Sequence, residues 1–240
     1  MMPILFSSVF MKKNRRKSKE KPNRRRGLFL TFEGIEGSGK STQCHSLAGW
    51  LRTRGYQVLE TREPGGTRLA EKLRDCLLAR LGEPVTPWTE ALIVLAARSQ
   101  HVELVIRPAL ELGAIVLCDR FLDSTLAYQG FGRGIDLTLL TRMSKTVAGK
   151  VAPDLTLWFD VPVEVGLRRR HHGQLSINRI DAESMQFHER VRRGFRTLAR
   201  RYPRRIHAID ADRLPDLIST DVERLVETYL TTRVLRKSHD

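Results

Sequence analysis

The chain has 240 residues, 41% of them hydrophobic and 29% charged, which is the composition of a globular protein with one buried core. Its formal net charge of +15 suits an anionic ligand such as a nucleotide. No apolar run reaches the roughly 18 residues of a membrane span, so we expect no membrane-spanning helix.

The first 26 residues form a segment of their own, because ten of them are Lys or Arg and one is Glu. We interpret residues 1–26 as a basic, disordered extension. A patch that binds nucleic acid or another anionic surface is the functional alternative. Residues 27–240 are then expected to form a single domain, which is only moderately basic.

From residue 28 onward, short apolar runs alternate with longer amphipathic stretches. The runs typical of strands are 28–32, 57–59, 114–118, 155–159 and 205–209. The stretches with helical spacing are 41–53, 68–81, 88–112 with an interruption at Pro108, 137–148, 163–170, 181–201 and 215–235. This alternation predicts an α/β fold with a parallel sheet covered by helices on both faces. Ligands of such a fold bind at the carboxyl ends of the strands.

The segment directly after the first predicted strand matches the phosphate-binding pattern G-x-x-x-x-G-K-[ST]. The residues expected to bind the phosphates of ATP are Gly34, Ile35, Glu36, Gly37, Ser38, Gly39, Lys40, Ser41 and Thr42. The glycines let the backbone wrap around phosphate oxygens, and the loop N–H groups face the anion. Lys40 is expected to reach the β- and γ-phosphates, and Ser41 to ligate Mg²⁺.

An Asp-Arg pair, Asp119 and Arg120, follows the third predicted strand, at the edge of the sheet where the phosphate loop also lies. Asp119 is expected to position Mg²⁺ or its waters, and Arg120 to bridge two phosphate groups during transfer. An isolated pair of this kind would be interpreted as a surface ion pair, but the neighbouring phosphate loop favours the catalytic role.

A polar, basic stretch at about 168–180 separates two predicted helices, and we interpret it as a mobile lid. Its arginines are Arg168, Arg169, Arg170 and Arg179. No general base or nucleophile accompanies these groups. A phosphate monoester acceptor needs none, because its second pKa is about 6 and it is mostly dianionic at neutral pH. The residues therefore predict a phosphotransferase whose acceptor is a phosphate monoester, such as a nucleoside monophosphate.

Several segments between residue 28 and the carboxyl terminus occur in an order and spacing typical of one enzyme family. They are 32–42 (FEGIEGSGKST), 61–67 (TREPGGT), 119–121 (DRF), 124–130 (STLAYQG), 133–134 (RG) and 153–157 (PDLTL). Together they resemble bacterial thymidylate kinase, a P-loop nucleoside monophosphate kinase. The resemblance implies Mg-ATP-dependent phosphorylation of dTMP to dTDP for dTTP synthesis. It also implies a homodimer, and the P-loop NTPase fold with a five-stranded parallel sheet in a three-layer sandwich.

The resemblance assigns roles to individual residues. Lys40, Asp119, Arg120 and Arg179 would be catalytic, with Arg179 as the lid arginine. The residues that would bind dTMP are Glu36 at the 3′-hydroxyl, Arg74 and Arg120 at the acceptor phosphate, Arg98 and Thr125 at the edge of thymine, Tyr128 in the space of a ribose 2′-hydroxyl, and Gln129 beside the nucleoside.

Two departures from the family pattern lie in the binding site. Gly37-Ser38 stands where some members carry an arginine in the phosphate loop, so the charge is expected from the lid. Val94 stands where the family usually has a phenylalanine stacked on thymine. We expect weaker dTMP binding, unless Phe121 or Phe131 replaces that aromatic contact.

Two alternatives to a dTMP kinase stay open. A kinase for another pyrimidine nucleoside monophosphate belongs to the same class. A nucleic-acid-binding P-loop protein that uses the basic extension belongs to a different class, although we do not expect a nucleic acid as partner. Cys44, Cys76 and Cys118 lack metal or disulfide spacing, and we interpret them as free thiols of a cytoplasmic protein.

Overall fold

The structure is a computed structural model, and it describes residues 26–172 and 177–237. The strands in this part of the chain are β1 (Leu28–Glu33), β2 (Val58–Arg62), β3 (Ile115–Asp119), β4 (Leu155–Asp160) and β5 (Ile206–Asp210). They form one parallel five-stranded sheet in the order β2-β3-β1-β4-β5. The predicted α/β fold with a parallel sheet is confirmed.

The position of β1 decides where the site lies. β1 pairs with β3 on one side and with β4 on the other, and its pairing with β3 places Phe32 opposite Asp119. Because the strands are parallel, the phosphate loop after β1 and the Asp-Arg pair at the end of β3 lie side by side at one edge of the sheet. The register therefore brings together two motifs that are far apart in sequence.

The helices cover both faces of the sheet. They are α1 (Lys40–Thr53), α2 (Arg68–Leu78), α3 (Pro87–His101), α4 (Arg107–Glu111), α5 (Leu122–Thr125), α6 (Leu137–Ala148), α7 (Val163–His172), α8 (Met185–Arg201) and α9 (Pro215–Lys237). Alternate residues of β1 enter different cores: Leu30 packs with residues of α1, α8 and α9, whereas Phe29 packs with residues near α4. These two cores produce the three-layer sandwich.

Two π-helical segments, Val102–Ile106 and Leu126–Gly132, differ from the sequence prediction. The long helix expected over 88–112 switches from α-helical to π-helical geometry at Val102–Ile106. The predicted interruption at Pro108 is not observed there, since Pro108 lies in the first turn of α4. A proline inside a continuous helix removes one backbone hydrogen bond and crowds the carbonyl one turn earlier, and the π-helical turn Val102–Ile106 lies just before Pro108. The segment Leu126–Gly132 lies outside the predicted helices.

Some predictions concern residues that the structure describes only in part. The predicted extension at 1–26 lies outside the described residues except for Arg26, and the predicted lid at 168–180 lacks 173–176. In the described ranges, no helix is both long and apolar enough to cross a membrane.

Candidate active site

A cavity of about 560 Å³ opens at the carboxyl ends of β1, β2 and β3. The predicted site residues that line it are Glu36, Gly37, Gly39, Lys40, Ser41, Thr42, Arg74, Val94, Arg98, Asp119, Arg120, Thr125, Tyr128 and Gln129. The fold thus brings most of the predicted residues together. Gly34, Ile35, Ser38 and Arg179 are not among its lining residues.

The phosphate loop is packed against the backbone of α7. A Cβ at Gly37 would lie 1.9 Å from the carbonyl oxygen of Gly166, and Gly37 has a φ of +68°. A Cβ at Gly166 would lie 2.6 Å from the carbonyl oxygen of Glu36. Both positions therefore require glycine. This contact fixes the loop beside Arg169 and Arg170 of α7. No local motif marks Gly166 for this role, so it could not be predicted from the sequence.

Lys40 is buried at the start of α1, and its Nζ donates to the carbonyl oxygen of Ile35 at 3.1 Å. Burial lowers the pKa of Lys40 to about 8, and the positive charge of Arg120 acts in the same direction. An anionic ligand would oppose both effects. A bound phosphate would therefore favour the protonated form of Lys40, which burial and Arg120 disfavour in the empty loop.

Ser41 and Asp119 meet at the mouth of the phosphate loop, where the Ser41 hydroxyl donates to Oδ2 of Asp119. Oδ1 of Asp119 is buried and has no hydrogen-bond partner among the described residues. Hydroxyl and carboxylate oxygens are the ligands that Mg²⁺ prefers, usually together with substrate phosphates. The donor set fits this ion, and the described residues contain no His, Cys, Asp or Glu cluster that would suit another metal.

Arg120, Glu36 and Tyr128 form a hydrogen-bonded group in the centre of the cavity. Nη1 of Arg120 donates to the carbonyl oxygen of Gly34, and Nη2 donates to Oε1 of Glu36, both at 2.9 Å. The Tyr128 hydroxyl lies 2.8 Å from both Glu36 oxygens. Burial favours the neutral form of Glu36, but the Arg120 guanidinium, His188 and Lys40 together outweigh burial and hold the pKa of Glu36 well below its ordinary value.

Glu33 braces the backbone that carries Arg120, a role that the sequence analysis missed. Its carboxylate accepts from Phe121 N at 2.8 Å and from Ser124 Oγ at 2.5 Å. Arg120 itself has a φ of +71°, a strained value for a side chain with a Cβ. Burial and the nearby Asp123 raise the pKa of Glu33 to about 8. The sequence contains one sign of this role, because Glu33 is the only charged residue of the strand β1.

Arg98 lies at the opposite end of the cavity and is only 1% exposed. Its Nε donates to Glu63 at 2.7 Å and its Nη2 to Thr125 Oγ1 at 2.9 Å. Glu63 is held in turn by His101, whose Nδ1 lies 3.1 Å away. Nη1 of Arg98 is buried without a hydrogen-bond partner in the described part of the chain. This fixed donor is available to a ligand acceptor.

The aromatic and apolar wall beside Arg98 consists of Val94 and Phe121. Val94 is 8% exposed, and the Phe121 ring lies 4.9 Å from the Arg98 guanidinium carbon. Phe131 packs against Gly194 of α8 and does not line the cavity. Of the two aromatic residues considered as replacements for the family's phenylalanine, only Phe121 is therefore near the site.

Arg74 and Gln129 complete the predicted substrate contacts. Nη1 of Arg74 donates to the carbonyl oxygen of Pro64 at 3.0 Å, which aligns the guanidinium along the cavity wall. Nε2 of Gln129 donates to the buried carboxylate of Glu90 at 2.8 Å. Both side chains are thus held in place by the protein rather than by a ligand.

The predicted lid arginines occupy different places. Nη2 of Arg179 donates to Glu90 and its Nε to the carbonyl oxygen of Leu77, so its guanidinium is bound away from the cavity. Arg169 and Arg170 line the cavity. Arg170 forms two hydrogen bonds with Asp181, at 3.0 and 2.7 Å. In this arrangement α7, and not Arg179, places basic groups beside the phosphate loop.

Known proteins resemble the chain in sequence and structure. Residues 32–222 match the family model described as thymidylate kinase. A thymidylate kinase of Thermomicrobium roseum is 53% identical over 194 residues, covering 81% of this chain and 91% of the relative. One from Pelotomaculum thermopropionicum is 47% identical over 205 residues, covering 85% and 95%. The crystal structure of thymidylate kinase from Ehrlichia chaffeensis has 37% identity and a TM-score of 0.68, covering 83% of this chain and 98% of that one.

Proposed function

The chain belongs to the thymidylate kinase family and phosphorylates dTMP to dTDP for dTTP synthesis, and we propose that the transfer from ATP takes place between the phosphate loop and Arg98. The observation that carries this proposal is the position of Arg120. Its guanidinium donates to Gly34 of the phosphate loop and to Ser124 beside Thr125, so it lies between the two ends of the cavity.

ATP is proposed to bind with its phosphates in the loop 34–42. Lys40 would exchange its bond to the carbonyl oxygen of Ile35 for the β- and γ-phosphates. Ser41 and Asp119 would hold Mg²⁺, which neutralises phosphate charge when it is bound. The unpaired Oδ1 of Asp119 supports this assignment.

The acceptor phosphate of dTMP is proposed to lie between Arg74 and Arg120, which neutralise it and orient it toward the γ-phosphate. Because the acceptor is a dianion near neutral pH, it can attack without a general base. Positioning and charge neutralisation then supply the catalysis. Arg120 is suited to both phosphates, since Glu36 and Gly34 already fix its guanidinium.

The nucleoside of dTMP is proposed to extend toward α3. The free Nη1 donor of Arg98 and the Thr125 hydroxyl would contact the polar edge of thymine. Glu36 would accept from the 3′-hydroxyl of the sugar. The Tyr128 ring would occupy the space that a 2′-hydroxyl needs, and Gln129 would border the nucleoside.

The positive charge absent from the phosphate loop is proposed to come from α7. Arg169 and Arg170 line the cavity and lie beside the loop through the Gly37–Gly166 contact. To reach a phosphate, Arg169 would release Asp212 and Arg170 would release Asp181. Arg179 would serve as the lid arginine only if its guanidinium leaves Glu90 when ATP binds.

A homodimer is proposed, with α3 as part of the interface. Trp88 and Leu92 are 41% and 52% exposed and lie four residues apart, so they share one face of α3 with the exposed Ala96. Leu92→Arg should produce monomers in size-exclusion chromatography with light scattering, whereas dimers with this change would exclude the interface. The working compartment of the enzyme is proposed to be the cytoplasm, where the cysteines would stay reduced.

Arg98→Ala tests the nucleoside pocket. The KM for dTMP should rise by more than about tenfold, because a buried charged donor to the base is lost, while the KM for ATP stays constant. Arg142→Ala, at an exposed arginine of α6, is the control. An unchanged KM for dTMP in a folded Arg98→Ala variant would contradict the assignment.

A further inference from the structure

His188 lies on α8 directly behind the phosphate loop and is 0% exposed. Its Nδ1 is 3.3 Å from Oε2 of Glu36, but the orientation does not meet the geometry of a hydrogen bond, and neither ring nitrogen has a hydrogen-bond partner among the described residues. A buried donor or acceptor without a partner costs free energy. None of the roles given above to the cavity residues uses His188.

Glu36 has an unequal set of partners. Arg120 donates to Oε1, while the one hydrogen bond that Oε2 receives from the described residues comes from the Tyr128 hydroxyl, which it shares with Oε1. A carboxylate has about four lone-pair sites, so Oε2 can accept another donor. Nδ1 of His188 is positioned to supply it after a small rotation. Edge-to-face contact with Phe187, at 5.4 Å between ring centroids, restricts the imidazole to small rotations.

We propose that His188 is a positioning residue for recognition of the sugar 3′-hydroxyl. Its Nδ1–H donates to Oε2 of Glu36 when dTMP is bound, and this bond fixes the rotation of the carboxylate. The remaining lone pair of Glu36 then points to the 3′-hydroxyl. The proposal rests on the proposed role of Glu36, and it makes preference for a 3′-hydroxyl depend on a side chain that does not contact the substrate.

The test compares His188→Asn with His188→Leu, two side chains of similar shape of which only Asn carries a donor near the position of Nδ1. The readout is the ratio of kcat/KM for dTMP to kcat/KM for 3′-deoxythymidine monophosphate. We expect His188→Leu to lower this ratio roughly tenfold relative to the native enzyme and His188→Asn to restore most of it. The KM for ATP should not change. Equal ratios in the two variants would overturn the proposal.

Two further measurements distinguish failure of the His188 proposal from failure of the proposed role of Glu36. If Glu36→Gln lowers the ratio but His188→Leu does not, the proposal is wrong and the role of Glu36 stands. If neither lowers it, the role of Glu36 is wrong and the proposal falls with it. Should both His188 variants fail to fold, nitrogen NMR of the native enzyme bound to dTMP decides. A proton on Nδ1 supports the proposal, and a proton on Nε2 alone overturns it.

Discussion

Nη2 of Arg179 lies 2.8 Å from the carboxylate of Glu90, a side chain that is 0% exposed. The same carboxylate accepts from Gln129 and Arg133, and these three partners hold the pKa of Glu90 below its ordinary value although burial opposes them. Arg179 therefore links the end of the lid to α3, while Arg170 lies at the cavity.

This relationship predicts different results for two lid variants. Arg170→Ala should lower kcat by roughly a hundredfold, the usual loss when one donor to a transferring group is removed. Arg179→Ala should lower the unfolding free energy by about 2 kcal/mol, since it loses a bond to a buried charge. Steady-state kinetics and urea titration measure the two effects. A larger loss of kcat in Arg179→Ala would mean that Arg179 leaves Glu90 during catalysis.

Val94→Phe should lower the KM for dTMP by about 2- to 10-fold. An aromatic ring stacked on thymine adds about 0.5–1.5 kcal/mol, and Val94 lines the cavity beside Phe121. The KM for ATP in the same variant is the control, because the phosphate loop is not altered. An unchanged KM for dTMP would show that Phe121 already supplies the aromatic contact or that the base lies elsewhere.

Tyr128→Ala should admit ribonucleotides. The comparison of UMP with dUMP isolates the 2′-hydroxyl, and the ratio of their kcat/KM values should rise in the variant. Tyr128→Phe keeps the ring but removes the hydroxyl that contacts Glu36, so it should retain the discrimination. If Tyr128→Ala still rejects UMP, the ring does not exclude the ribose.

ATP affinity should fall as the pH rises through about 8, the lowered pKa of Lys40 in the ligand-free enzyme. The phosphates bind the charged lysine, so binding above this pH must take up a proton. Isothermal titration calorimetry in buffers of different ionisation enthalpy measures that uptake. Lys40→Arg stays charged across this range and should show neither the uptake nor the pH dependence. Proton uptake that persists in Lys40→Arg would assign it to another group.

Glu33 should make the enzyme less stable as the pH rises from about 5 to 8. Its pKa is raised from 4.5 to about 8 in the folded state, mainly by burial. Below pH 4.5 Glu33 is protonated in both the folded and the unfolded state. Between pH 4.5 and about 8 only the folded state keeps this proton, so the free energy of unfolding falls as the pH rises, by at most about 1.4 kcal/mol per pH unit. Urea titrations at several pH values should show a smaller slope for Glu33→Gln. Equal slopes would contradict the raised pKa.

The sequence predicted those parts of the molecule that depend on local patterns. Each strand has a short apolar run, and the phosphate loop has fixed spacing between Gly34 and Ser41. The alternation of strands and helices predicts the parallel sheet, and with it the position of Asp119 near the phosphate loop. These features could be predicted because neighbouring residues determine them.

The remaining parts of the site arise from contacts between distant segments. Glu33 accepts hydrogen bonds from Phe121 and Ser124, which lie 88 and 91 positions later in the chain. His188 approaches Glu36 from α8. No local spacing indicates such contacts. The family resemblance likewise named Arg179 without showing that Glu90 holds it.

The most direct test of the account is ADP release by the full chain with Mg-ATP and, separately, dTMP, dUMP, dCMP, UMP, CMP, AMP and GMP. We predict that dTMP stimulates release most strongly, with weaker stimulation by dUMP, which lacks only a methyl contact worth about 1–3 kcal/mol. UMP, CMP and the purine nucleotides should stay near background. Release that no monophosphate stimulates, or that a ribonucleotide stimulates best, would contradict the proposed site.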